Sequence, residues 1–114
     1  MITFDECRKL ALALADVTEE PHFEKPSFRW RGKIFMTFHT PKNQAMLILP
    51  ELHQSVLTAD DNEFIFPVKG FWGSKGATMF DLNKVTKKIF KDALKSSYNF
   101  IVEKNITKKN KSKL

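Results

Sequence analysis

Phe4, Cys7, Leu10, Ala11 and Leu14 recur at helical spacing and make one apolar face. Thr3 and Glu6 stand ahead of them as a capping box, so a helix is predicted that ends near Asp16. The stretch that follows is acidic and interrupted by Pro21 and Pro26, which predicts a loop. Period two then takes over. Phe28-Arg29-Trp30-Arg31 alternates apolar and basic residues, as a half-buried strand does. Gly32-Lys33 supplies a turn, residues 34–39 form a second strand, and residues 40–44 form another turn. Residues 45–49 are apolar without a break, the pattern of a central strand. Pro50 stops that strand and is tolerated in the first turn of a short helix over 51–57, with Leu52 and Val56 inward.

The second half adds two strands and a helix. Asn62 leads into a strand over 64–66, which Pro67 ends. Residues 70–76 are a glycine-rich connection, and 77–80 form a fifth strand. Asp81 is a suitable cap for a long last helix over 82–103. Short connections make neighbouring strands antiparallel. The expected fold is therefore α+β and two-layered, α-β(3)-α-β(2)-α, with helices packed on one antiparallel sheet. Residues 1–103 make a single domain, and residues 104–114 a basic, disordered tail.

Several motifs carry a family resemblance. Pro21-His22-Phe23 precedes a strand, and Phe28-Arg29 with Gly32-Lys33 and Phe35 forms a hairpin signature. Pro67-Val68, Gly70, Trp72 and Gly73 mark a loop, and Asp81-Leu82 opens the closing segment. With these, residues 11–35 and 64–101 resemble the MmcQ/YjbR family of small bacterial proteins. The resemblance implies the same α-β(3)-α-β(2)-α order and carries a DNA-binding label. The fold it implies is shared with small dimeric chaperones of secreted proteins.

Charge changes the picture only locally. The chain of 114 residues has a formal net charge of +6, but residues 104–114 hold five lysines and no acid. The rest has 14 basic and 13 acidic residues, so the high isoelectric point belongs to the tail. Eleven Phe and two Trp supply a core without staples. The lone cysteine, Cys7, is expected in that core and cannot form an internal disulfide. No stretch approaches the roughly 18–20 apolar residues of a membrane span. A soluble cytoplasmic protein is expected, with no membrane association.

Candidate chemistry lies in three places. Lys84, Lys87, Lys88, Lys91 and Lys95 fall within an arc of about 100° on the last helix, a surface able to track phosphates. Leu82, Val85, Ile89, Ala93 and Phe100 are placed on the opposite, sheet-facing side. Arg29 and Arg31 alternate with core-bound Phe28 and Trp30 and are candidate phosphate or carboxylate contacts. Trp72, flanked by glycines, is the candidate exposed aromatic for a partner.

Other patterns lead nowhere. Gly73-Ser74-Lys75-Gly76 matches a KH-type loop, but strands rather than helices are expected around it. Nor does it have Walker A order. His22, His39 and His53 are scattered and have no metal-site spacing. An enzyme would need a pocket gathering His22 or His39 with a carboxylate. The terminal Ser112-Lys113-Leu114 resembles a peroxisomal address. The sequence expectation is a non-enzymatic binding module without cofactor or metal. It contacts nucleic acid through the lysine face or, alternatively, a protein partner, as monomer or homodimer.

Overall fold

The computed structural model describes residues 1–59 and 63–112, with side chains described as far as residue 106. Helix α1 (Phe4–Leu12) opens at Thr3, whose Oγ1 accepts the Glu6 N–H at 3.2 Å. The helix stops at Leu12, short of the expected Asp16, which adopts φ +63° and turns the chain into a strand.

That strand, β1 (Val17–His22), occupies the stretch expected to be a loop. It pairs antiparallel with β2 (Lys25–Trp30), placing Pro21 opposite Pro26. Because β1 is a sheet edge, the missing proline N–H breaks no inner ladder. Its exposed Glu19 and Glu20 also discourage pairing with another chain.

β2 and β3 (Lys33–His39) are joined by Arg31 and Gly32, both at positive φ, as a two-residue hairpin turn requires. A 3₁₀ turn over Thr40–Lys42 leads to β4 (Gln44–Ile48). α2 (Glu51–Thr58), β5 (Ile65–Pro67), the four-residue α3 (Phe71–Ser74), β6 (Ala77–Asp81) and α4 (Lys87–Ser112) follow. The approach to β5 expected from Asn62 lies outside the described residues. The sheet is six-stranded and antiparallel in the order β1-β2-β3-β4-β6-β5. The α+β two-layer architecture is the one expected, with β1 added at an edge.

One sheet face is covered. Phe28, Phe38, Leu47 and Phe80 are buried there, and α1 and α4 pack on it. Phe4 lies 4.4 Å from Phe38 and Phe90 lies 5.9 Å from Phe80, centroid to centroid. The Ser97 hydroxyl donates to the Phe35 carbonyl at 3.2 Å, and the Tyr98 hydroxyl to that of Ala15 at 2.8 Å. Cys7 is fully buried in this core, and burial, reinforced by Glu6, pushes its thiol up to about 12. It behaves as a small apolar residue.

Two helices differ from expectation. Leu52 and Val56 of α2 point outward, while Gln54 points in. The Gln54 side-chain nitrogen sits within 3.2 Å of the Gly73 and Ala77 carbonyls and of Thr78 Oγ1. This polar junction ties α2 to β6, so a buried amide takes the place an apolar residue was given. Leu82, Val85 and Ala93 are buried as expected, but the buried stripe of α4 runs through Phe90, Ala93, Leu94, Ser97 and Ile101. Ile89 is exposed and Phe100 only half-buried. No helix among the described residues is long and apolar enough to cross a membrane.

Candidate functional site

The five-lysine stripe does not survive intact. Asp81 ends β6, and its carboxylate accepts the Asn83 N–H at 3.0 Å to form a turn. The helix begins later, where Thr86 Oγ1 accepts the Ile89 N–H at 3.2 Å. Lys84 therefore lies in the turn ahead of α4, with its ammonium 5.3 Å from the Phe64 ring centre. Lys87 reaches across to α1 and pairs with Glu6 at 2.8 Å. The Lys87 hydrogen bond is the chief reason the Glu6 carboxyl titrates below its ordinary value. Lys88, Lys91 and Lys95 remain exposed on α4, with no ion pair among the described residues. Most of the lysine tail lies beyond the described side chains, as does the terminal Lys113-Leu114.

Arg29 and Arg31 do not extend this surface. The Arg29 guanidinium donates to Ser27 Oγ and to the Pro21 carbonyl, each at 3.1 Å, which lays it along the β1–β2 pair. Arg31, at the hairpin tip, pairs with Asp16 at 3.1 Å and stacks 4.9 Å over Trp30. Phe28 and Trp30 are buried, as expected.

Trp72 is 65% exposed, and its position is built by glycines. A Cβ on Gly73 would meet the Val68 carbonyl oxygen at 1.8 Å, so α3 can sit this close to the β5–α3 segment only with glycine there. Gly76 has φ +103°, and a Cβ on it would meet the Leu49 carbonyl at 2.2 Å. Trp72 packs edge-on against Phe71 at 5.6 Å and overhangs the sheet face that α1 and α4 leave open.

The open face holds a cavity of about 390 Å³. Its pattern follows from the strand register. One row brings His22 opposite Lys25, with His39 one alternation beyond the Ser27–Thr37 pair. The next row is Thr37, Met46 and Met79. The third pairs Ile48 with Ala77, and Ile34, Val68 and Trp72 complete the wall. His39 Nε2 lies 3.1 Å from Thr37 Oγ1. Burial first, then the Lys25 charge, holds the His39 pKa below its ordinary value. The two histidines that looked scattered in sequence thus share one cavity. They share it with Lys25, and no Asp or Glu lines it among the described residues. A larger depression of about 720 Å³ runs along β1, but it is more open and is edged by the Arg8–Glu19 ion pair. No group of three or more His, Cys, Asp or Glu side chains among the described residues is placed to hold a metal ion.

Of the lining residues only Trp72 is a binding candidate in the sequence, yet a signal for others is there. A continuous apolar run at 45–49 in a two-layer domain places Met46 and Ile48 on the uncovered face. The arrangement is that of a small α+β domain with helices on one side of an antiparallel sheet and an apolar concavity on the other. A family model described as YjbR matches residues 12–100, and the chain belongs to the YjbR family. Comparison with curated proteins gave no match, and comparison with solved structures gave none.

Proposed function

We propose that this protein is a non-enzymatic binding module whose working surface is the open sheet face. The carrying observation is the cavity itself: an apolar concavity on a solvent-facing sheet, walled by a tryptophan that two tightly constrained glycines hold in place. Solvent faces of antiparallel sheets ordinarily alternate to polar residues. At about 390 Å³ the space fits a small apolar molecule, within the usual range for ligand sites. His22 and His39 add polar groups able to hydrogen-bond a ligand at one end of this surface. The test is a titration of the ¹⁵N-labelled chain with the neutral probe 4-phenylbutan-1-ol. Saturable shifts of the Trp72 indole N–H and of the Met46 and Met79 amides, the amide shifts being lost in Trp72→Leu, support the proposal. An unmoved indole at millimolar probe defeats it.

A second reading is nucleic-acid contact through α4, favoured by the exposed Lys88, Lys91 and Lys95, which make no ion pair among the described residues. Three phosphate contacts would make affinity fall with a log–log salt slope of about −2.7. A duplex titration at two salt concentrations measures this slope. Unchanged binding after the three lysines become glutamate would end that reading.

A further inference from the structure

The open-face cavity is polarised, and the polarity specifies a ligand class. Its cation-bearing end is the row of His22, Lys25 and His39. Its apolar end is Ile48 with Trp72, reached across the thioethers of Met46 and Met79. Two acids share this face without pairing with Lys25. Glu20 Oε2 accepts the Thr18 hydroxyl at 3.0 Å, and Asp81, two strands from His39, holds the Asn83 N–H. Lys25 makes no ion pair among the described residues, and its charge reaches His39. Lys25 therefore offers an ammonium that no carboxylate among the described residues pairs with.

We propose that the cavity binds a small carboxylic acid with a flat aromatic body, its carboxylate on Lys25 and His22 and its ring against Trp72. The proposal rests on the open face being the binding surface, and adds the charge and shape of what binds. Aromatic faces suit this end of the site because tryptophan offers edge or face stacking and methionine sulfur packs well against rings. Size agrees as well. The four-residue run from the His39 row to the Ala77 row spans about 13 Å at 3.3 Å per residue, room for a ring, a short chain and a carboxylate. An ammonium–carboxylate contact on a half-open surface adds selectivity of about fivefold.

The experiment compares two probes that differ only at the head group, 4-phenylbutyrate and 4-phenylbutan-1-ol, on the full chain. Both are followed by the Trp72 indole and the backbone amides. The expected result is about fivefold tighter binding of the acid. In Lys25→Gln that preference disappears while the alcohol binds as before, and in Lys88→Gln the preference stays. Equal affinity of acid and alcohol overturns the carboxylate assignment and leaves the open-face reading standing. So does a preference that survives Lys25→Gln. If neither probe moves Trp72, both proposals fall together. Matching amide spectra of the variants and the parent establish that each has folded.

Discussion

The outer surface of α4 and the open face of the sheet both face solvent, but they differ in what their residues explain. Lysines on α4 follow from the helix itself. A helix that buries Phe90, Leu94 and Ile101 must place polar residues on its far side. Lys88, Lys91 and Lys95 do that, and Lys87 additionally ties α4 to α1. Met46, Ile48 and Met79 have no such account. They are half-buried apolar side chains on a face that neither α1 nor α4 covers. The contrast teaches that a charged stripe is expected on any surface helix, whereas apolar residues on an uncovered sheet face call for an explanation beyond the fold, which the proposed binding surface supplies.

The largest effect that sharpens this contrast is on stability. Phe90→Ala removes a fully buried ring from the inner side of α4 and is expected to cost about 3–5 kcal/mol in denaturant unfolding. Replacing Lys88, Lys91 and Lys95 together by alanine on the outer side should change stability by no more than about 0.5 kcal/mol per site. A large loss from the lysine variant would show that the outer surface does structural work the present account denies it.

Next comes the support of Trp72. Gly73→Ala forces the Val68 carbonyl to give way and should cost about 1–3 kcal/mol. The same variant should lose binding of 4-phenylbutan-1-ol while still folding, as judged by amide dispersion. Retained binding would mean that Trp72 does not shape the site. Gln54→Ala, at the junction behind α3, leaves the Thr78 hydroxyl and two carbonyls short of a donor. A loss of about 1–3 kcal/mol is expected there as well.

The smallest effect is a pH dependence. The His39 pKa is lower in the folded chain than its ordinary value of 6.5, so the unfolded chain binds more protons between the two values. Stability from this residue is complete above about pH 6.5. It falls as pH drops from there through the folded pKa. Urea midpoints measured from pH 7.5 to 5 should show this decline, and His39→Gln should reduce it. A midpoint that rises on acidification in the parent, with no such rise in the variant, would reverse the sign.

Much of the fold was legible in residue order, for physical reasons. Alternation and apolar runs predict strands at 28–31, 34–39, 45–49 and 77–80, each overlapping an observed strand, because period two is a strong signal where one face is buried. The strand at 17–22 was not legible. Glu19, Glu20 and Pro21 have the composition of a loop, and only pairing with the next strand makes an edge of them. The start of α4 was misplaced because Asp81 and Thr86 are both good caps, and the turn through Asn83 uses the first. The outward Leu52 and inward Gln54 depend on three acceptors brought from 73–78, which no local pattern announces. The candidate site was the least legible part. Trp72 was singled out, but His22, Lys25, His39, Met46 and Met79 converge only through cross-strand register. The lysines stood out in the sequence because charge is easy to count. Their separation between a turn, an ion pair and three free positions is tertiary.

The most direct measurement uses the methionines, since Met46 and Met79 lie on the open face while Met36 is fully buried on the covered one. With [¹³C-methyl]methionine label, 4-phenylbutan-1-ol should shift the Met46 and Met79 methyl signals saturably and leave Met36 unmoved. Stationary Met46 and Met79 signals at millimolar probe would contradict the claim that the open face is the working surface.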